Sequence, residues 1–140
     1  MEKKVFVSFD YEKDRYYYAL MKAWDANTNI EFVFSDYTSK EIKSDSIPVV
    51  KAALTRKINE ATHTLVIIGE DANKRHTDAV EIGYTNWQNF EIAKSKERKN
   101  KLIGVKIDST YDSPSELLGA GAKWAMSFGK DSIINALNNA

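Results

Sequence analysis

The chain has 140 residues, sets 20 Lys and Arg against 20 Asp and Glu, and contains two His and no Cys. The length fits one domain over 1–140; the missing Cys excludes a disulfide scaffold, a thiol nucleophile and a Cys-ligated zinc or iron–sulfur centre; and zero net charge argues against nonspecific nucleic-acid binding, which needs surplus Lys and Arg. No apolar run reaches the ~18–20 residues of a membrane span, and Met1-Glu2-Lys3-Lys4 runs into an apolar strand signal without a signal peptide, so a soluble, cytoplasmic protein is expected.

Lys4 to Phe9 reads as a short strand. Asp10 to Asp14 supplies capping chemistry, and Tyr17, Leu20, Met21 and Trp24 follow at helical spacing. Asn27-Thr28-Asn29 ends that helix, and Ile30 to Phe34 is a second strand. Ser35 to Ser46 is polar, without periodicity, and is expected to be a long mobile loop. Ser46-Ile47-Pro48 opens a second helix whose apolar face is Val50, Ala53, Leu54, Ile58 and Ala61. Thr64 to Gly69 is the third strand, and its continuous apolar run, Leu65 to Ile68, predicts burial on both faces.

Glu70 to Asn86 is a polar, Gly-containing connection without a defined element. Trp87 to Arg98 is a helix and Lys101 to Ile107 a fourth strand. Asp108 to Lys123 is a loop with room for one helical turn after Pro114. Trp124 to Phe128 is a fifth strand, and Lys130 to Asn139 a closing helix. Strands that alternate with helices imply a parallel sheet covered on both faces. Five strands suggest the flavodoxin-like α/β order 2-1-3-4-5.

Open parallel sheets bind ligands beyond the carboxyl ends of their strands. That rule points to Ser8, Phe9, Asp10 and Tyr11 after the first strand and to Ser35, Asp36 and Tyr37 after the second. It also points to Gly69, Glu70 and Asp71 after the third. No GxGxxG follows the first strand and no GxxxxGK[ST] exists, which excludes a P-loop and disfavours a Rossmann dinucleotide site. Asp10 and Asp36 serve equally well as helix or turn caps. His63 and His76 lie far apart in sequence, so no metal site is expected. A phospho-acceptor receiver domain shares this strand order, but the third strand ends in Gly69-Glu70-Asp71 and one acid follows the first, so its acid cluster is incomplete. Trp87, Phe90, Glu91 and Lys94 form one stripe at i, i+3, i+4, i+7. A carboxylate beside two large aromatics is partly desolvated, which raises its pKa; the same spacing also fits two core aromatics with Glu91 flanking them.

Four segments carry a family resemblance. Lys4-Val5-Phe6-Val7-Ser8-Phe9-Asp10-Tyr11 resembles the opening of the TIR-like domain family of the Thoeris anti-phage defence protein ThsB. Leu65-Val66-Ile67-Ile68-Gly69-Glu70 is similar to the family's third strand, and Leu102-Ile103-Gly104-Val105 to its fourth. Trp87-Gln88-Asn89-Phe90-Glu91-Ile92 resembles its W-x-x-[WY]-E-I helix start. The resemblance implies a TIR-type flavodoxin-like fold and an enzyme that cleaves NAD⁺ as substrate, with no cofactor. The product would be an ADP-ribose-derived, cyclic or linear, diffusible signal that activates a separate effector protein after a phage-derived trigger. The resemblance further implies self-association. By motif it makes Glu91 the catalytic carboxylate. Ser8, Phe9, Asp10, Tyr11, Asp36 and Trp87 become the nucleotide-binding residues. Glu81-Ile82 repeats the Glu-Ile pair, which makes Glu81 the alternative carboxylate. A non-catalytic TIR-like interaction module and a receiver-like switch are the competing readings.

Overall fold

In the computed structural model, residues 3–24, 29–35 and 46–140 are described. The elements are β1 (Lys3–Ser8), α1 (Tyr11–Trp24), β2 (Ile30–Phe34), α2 (Ile47–Glu60), β3 (His63–Ile68), α3 (Ala79–Ile82), α4 (Trp87–Arg98), β4 (Lys101–Lys106), β5 (Lys123–Ala125) and α5 (Lys130–Asn139). The five strands form one parallel sheet in the order β2-β1-β3-β4-β5. This is the expected α/β, flavodoxin-like arrangement. The segment 36–45, most of the long loop expected after β2, lies outside the described residues, as does Asp36. Among the described residues no helix is long and apolar enough to cross a membrane.

The sheet is central because its side chains are apolar on both faces. Every residue of β3 is buried, as its unbroken apolar run requires. Val5, Val7, Leu65, Ile67, Ile103 and Val105 face one way, onto Met21 of α1 and Ile133 and Leu137 of α5. Phe6 faces the other way, onto Val50, Leu54 and Ile58 of α2 and Phe90 of α4. On that same side Val66, Ile68 and Leu102 pack on Ile92 and Leu117. Alternation along a strand sends neighbouring residues to opposite faces. Ser8 therefore shares the α2–α4 side with Phe6, and Phe9 shares the α1 side with Val7.

Three elements differ from the sequence expectations. The connection from Glu70 to Asn86 holds a short helix, α3, closed by Gly83 in the left-handed conformation. The fifth strand begins at Lys123 and stops at Ala125. It stops because Phe128 is drawn onto α1, where its ring lies 4.7 Å from Tyr17 and 5.6 Å from Trp24. Asp14 is not a cap. Asp10 caps α1, its Oδ1 accepting from the backbone N–H groups of Glu12 and Lys13 at 3.1 and 3.4 Å, while Asp14 is buried. The single turn expected after Pro114 is present as Ser115–Leu117.

Candidate active site at the switch point

Between β1 and β3 the strand order reverses, and both strands end at the same edge. The register pairs Ser8 with Val66, so Ile67 and Ile68 run past the end of β1. Beyond this step lies a cleft of about 390 Å³, walled on one side by Phe9, Asp10 and Tyr11 and floored by Trp87 and Gln88. The opposite wall is the β3–α3 connection, with Asp71, Lys74 and Arg75. A crevice at a topological switch point is the expected ligand position in an open α/β sheet.

Gln88 holds the two strand ends. Its side-chain amide donates to the carbonyl of Ile67 at 3.0 Å and to that of Ser8 at 3.4 Å. Asn86 holds the far wall. Its Oδ1 accepts from Asn89 N–H at 2.9 Å, which caps α4, and its Nδ2 donates to the carbonyls of Ala72 and Lys74 at 2.9 and 3.0 Å. Asn89 extends the network, donating to Asn73 Oδ1 and accepting from Glu116 N–H. The wall that carries Lys74 and Arg75 is thus fastened to the first turn of α4.

Glu91 lies one turn further along α4 and is fully buried. The Ser8 hydroxyl donates to its Oε1 at 2.6 Å. Its Oε2 meets no hydrogen-bond donor. Burial pushes the carboxyl up to about 8, against the lowering pull of the Ser8 and Ser35 hydroxyls and the Lys57 ammonium. Glu91 does not line the cleft, although Trp87 and Gln88 of the same helix do. Glu81 is exposed on α3 and remote from Ser8, its backbone carbonyl accepting from Lys51.

A second carboxyl group is buried on the opposite face of the sheet. Asp14 is 5% exposed, and its Oδ2 has no hydrogen-bond partner. Burial, then the carboxylates of Asp10 and Asp71, push it up to about 7. It lies against Gly69, where a Cβ would collide with its carboxylate. Among the described residues no group of three His, Cys, Asp or Glu is placed to hold a metal ion.

The structure therefore brings together Ser8 and Glu91 by direct contact, and Phe9, Asp10, Tyr11 and Trp87 around the adjoining cleft. It leaves Glu81 outside. Sequence reasoning missed Asp14, Gln88, Asn86 and the Lys74–Arg75 wall. Asn86 had a signal, since Asn directly before an apolar-periodic stretch is a helix-start signature. Gln88 and Asp14 had none, because their roles come from strands distant in sequence.

The comparisons agree with this architecture. The family model described as "Thoeris protein ThsB, TIR-like domain" matches residues 6–112. A curated protein of Bacillus cereus (strain MSX-D12), named "Putative cyclic ADP-D-ribose synthase ThsB1", is 27% identical over 125 residues. That alignment covers 86% of this chain, which spans 60% of the relative's length. A 2-deoxyribosyltransferase of Bacillus psychrosaccharolyticus superposes with a TM-score of 0.59 over 94% of this chain and 89% of that one. At 12% identity that likeness shows the fold alone. The match to the family model runs from the middle of β1 through the whole of α4 and β4, and on this ground the chain belongs to the ThsB TIR-like domain family of Thoeris proteins.

Proposed function

We propose that the chain is an NAD⁺-cleaving signalling enzyme of anti-phage defence, with Glu91 as its catalytic carboxylate and the switch-point cleft as its nicotinamide-ribose site. The observation that carries this reading is the Ser8–Glu91 pair: a sealed carboxyl group with one oxygen held and the other unengaged, behind a cleft at the carboxyl ends of β1 and β3. Perturbed, buried acids beside a cleft mark functional sites more often than chance. The relative named as a cyclic ADP-D-ribose synthase points the same way.

The chemistry suits one carboxylate. Cleavage breaks the bond between the nicotinamide nitrogen and the ribose anomeric carbon. The bonding pair leaves with the nicotinamide and cancels its positive charge, so no acid is needed. The ribose is left with oxocarbenium character, which Glu91 Oε2 stabilises electrostatically once opening of the site has hydrated the carboxyl and let its proton pass to water. Capture by water releases a proton and gives ADP-ribose. Capture by a nucleophile of the same molecule gives a cyclic product, and the relative's name favours that branch. The described chain is a resting form, because Glu91 is wholly enclosed; engagement requires the packing around it to open toward the cleft, and self-association is the event we assign to it. The product would then diffuse to a separate effector.

The full burial of Glu91 also suits a non-catalytic interaction module, in which the carboxyl is merely a protonated core group. Nicotinamide release from NAD⁺ separates the two, measured over a range of protein concentrations and with extract of phage-infected cells. Release by the wild-type chain and not by Glu91→Gln supports the enzyme. Equal release by both removes Glu91 from the mechanism, and no release under any condition favours the module.

A further inference from the structure

Beside the switch-point cleft lies a second cavity of about 540 Å³, between α3 and the Ser115–Leu117 turn. Arg75 is the one residue common to the walls of both. Its side chain is exposed and has no ion-pair partner among the described residues. We infer that the two cavities form one dinucleotide-length site, in which Arg75 seats the diphosphate and the second cavity takes the adenosine half of the substrate. The inference rests on the proposed reading of the first cleft as the nicotinamide-ribose site.

Three observations support it. The first is charge placement. Asp10 and Glu12 lie together on the near wall of the first cleft, which suits a cationic pyridinium, while Asp71 opposite is paired with Lys13 at 3.7 Å. Lys74 and Arg75 lie together on its far wall, toward the second cavity. A guanidinium offers a planar fork of donors that matches phosphate oxygens in bidentate fashion. A dinucleotide has that same sequence of charges: a cation, then a diphosphate, then a neutral nucleoside.

The second observation is rigidity. Asn86 lines the first cleft and Asn89 the second, and they are joined by two hydrogen bonds to Asn86 Oδ1, from Asn89 N–H at 2.9 Å and Asn89 Nδ2 at 3.0 Å. His76 N–H donates to the carbonyl of Thr85 at 2.8 Å, which fixes the chain just past Arg75. The ridge that bears Arg75 is thus bonded on both flanks. A pre-set ridge spares a ligand the cost of ordering it.

The third is the shape of the second cavity. Ala79 of α3 and Gly83, which closes that helix, carry almost no side chain, so beside Val80 the wall leaves room for a flat base. Tyr84 is held rigid by stacking on Phe90, at 6.0 Å and 7°. Thr85 and Ser115 add hydroxyls that suit a nucleoside's polar edge.

Two probes, each one part of the dinucleotide, test this by amide chemical-shift mapping on the full chain. Nicotinamide mononucleotide has the pyridinium, ribose and one phosphate; ADP-ribose has the diphosphate and adenosine. The mononucleotide is expected to shift Asp10 and Trp87 and leave Gly83 and Ser115 unmoved. ADP-ribose is expected to shift Gly83 and Ser115. Arg75→Gln, an exposed substitution that spares the fold, is expected to weaken ADP-ribose about tenfold or more, in keeping with loss of a charged hydrogen-bonding pair. It should leave nicotinamide riboside, which has no phosphate, unchanged. ADP-ribose that binds without shifting Gly83 and Ser115, or binds Arg75→Gln as well as wild type, overturns the inference, as does failure of both probes to bind. Shifts at Gly83 and Ser115 with ADP-ribose, but none at Asp10 and Trp87 with the mononucleotide, would uphold the adenosine cavity while removing the nicotinamide assignment of the first cleft.

Discussion

The Ser8 hydroxyl and the Glu91 carboxyl, 83 positions apart in sequence, meet at 2.6 Å at the point where the order of the sheet reverses. Ser8 ends β1 and Glu91 lies in the second turn of α4, so strand pairing and helix capping together set the contact. The hydroxyl is a donor to the carboxyl, and it holds the ionised form more tightly than the protonated form. Ser8→Ala is therefore expected to raise the Glu91 carboxyl above its wild-type value of about 8. Carboxyl-carbon NMR titration of Glu91 checks this; an unchanged midpoint would show that the bond does not bias ionisation.

Glu91→Gln keeps the side-chain volume and removes the ionisable oxygen. NAD⁺ cleavage is expected to fall by about 10²–10³-fold, the scale of losing one preorganised electrostatic contact in a dry site. Glu81→Gln is the paired control and should retain full activity, since Glu81 is exposed and outside the cleft. A dead Glu81→Gln protein beside an active Glu91→Gln protein would reverse the assignment.

Both buried carboxyls make stability depend on pH. The folded pKa is raised from 4.5 to about 8 for Glu91 and from 3.8 to about 7 for Asp14. Within those windows the folded chain keeps a proton that the unfolded chain has released, so the stability these two groups contribute is fully present below about pH 4 and is lost as pH rises toward 8. The slope is ~1.4 kcal/mol per pH unit for each group while it is in its window. Urea midpoints between pH 4 and 8 measure it. Glu91→Gln should flatten the upper part of the profile and gain on wild type as pH rises; a slope identical to wild type would show that Glu91 is not held protonated.

Gly69→Ala places a Cβ against the carboxylate of Asp14. Overpacking of this kind costs ~1–3 kcal/mol. Asp14→Ala in the same chain removes the obstruction and should recover most of the loss, whereas Asp14→Asn, of equal size, should not. Thermal or urea unfolding of the three variants gives the answer, and equal losses in both double mutants would discount the steric cause.

Asn86→Ala removes the α4 cap and both clamps on the cleft wall. Loss of a cap costs ~1 kcal/mol, and the buried Ala72 carbonyl left unpaired adds ~1–3 kcal/mol. Amide exchange at Asn73 and Lys74 should speed up along with the loss of stability; unchanged exchange there would mean that the wall is held by other contacts.

The architecture was legible in the sequence because it rests on local pattern. The apolar run Leu65–Ile68 announced the buried central strand, and the Val50-Leu54-Ile58 spacing announced the buried face of α2. Trp87, Phe90 and Glu91 at helical spacing put the carboxylate beside core aromatics, and its complete burial follows from that neighbourhood. What was illegible depends on tertiary approach. Asp14, in the first turn of a helix, looks like surface capping chemistry, and only the bare Cα of Gly69 makes room for it in the interior. Four residues are too few to show a period, so α3 was hidden inside a polar connection. Lys74 and Arg75 sit in that same polar connection, and only the bond from Asn86 to the Lys74 carbonyl ties the segment to α4.

The position of β1 also dictates the course of assembly. Its one edge pairs with β2, but its other edge waits for β3, which a ribosome delivers only after α1, β2 and α2. During that interval the nascent chain holds an apolar strand with an unsatisfied row of backbone groups, the kind of edge that recruits foreign strands. Delay before β3 has left the ribosome is expected to cost folded protein, and delay after it has left is not.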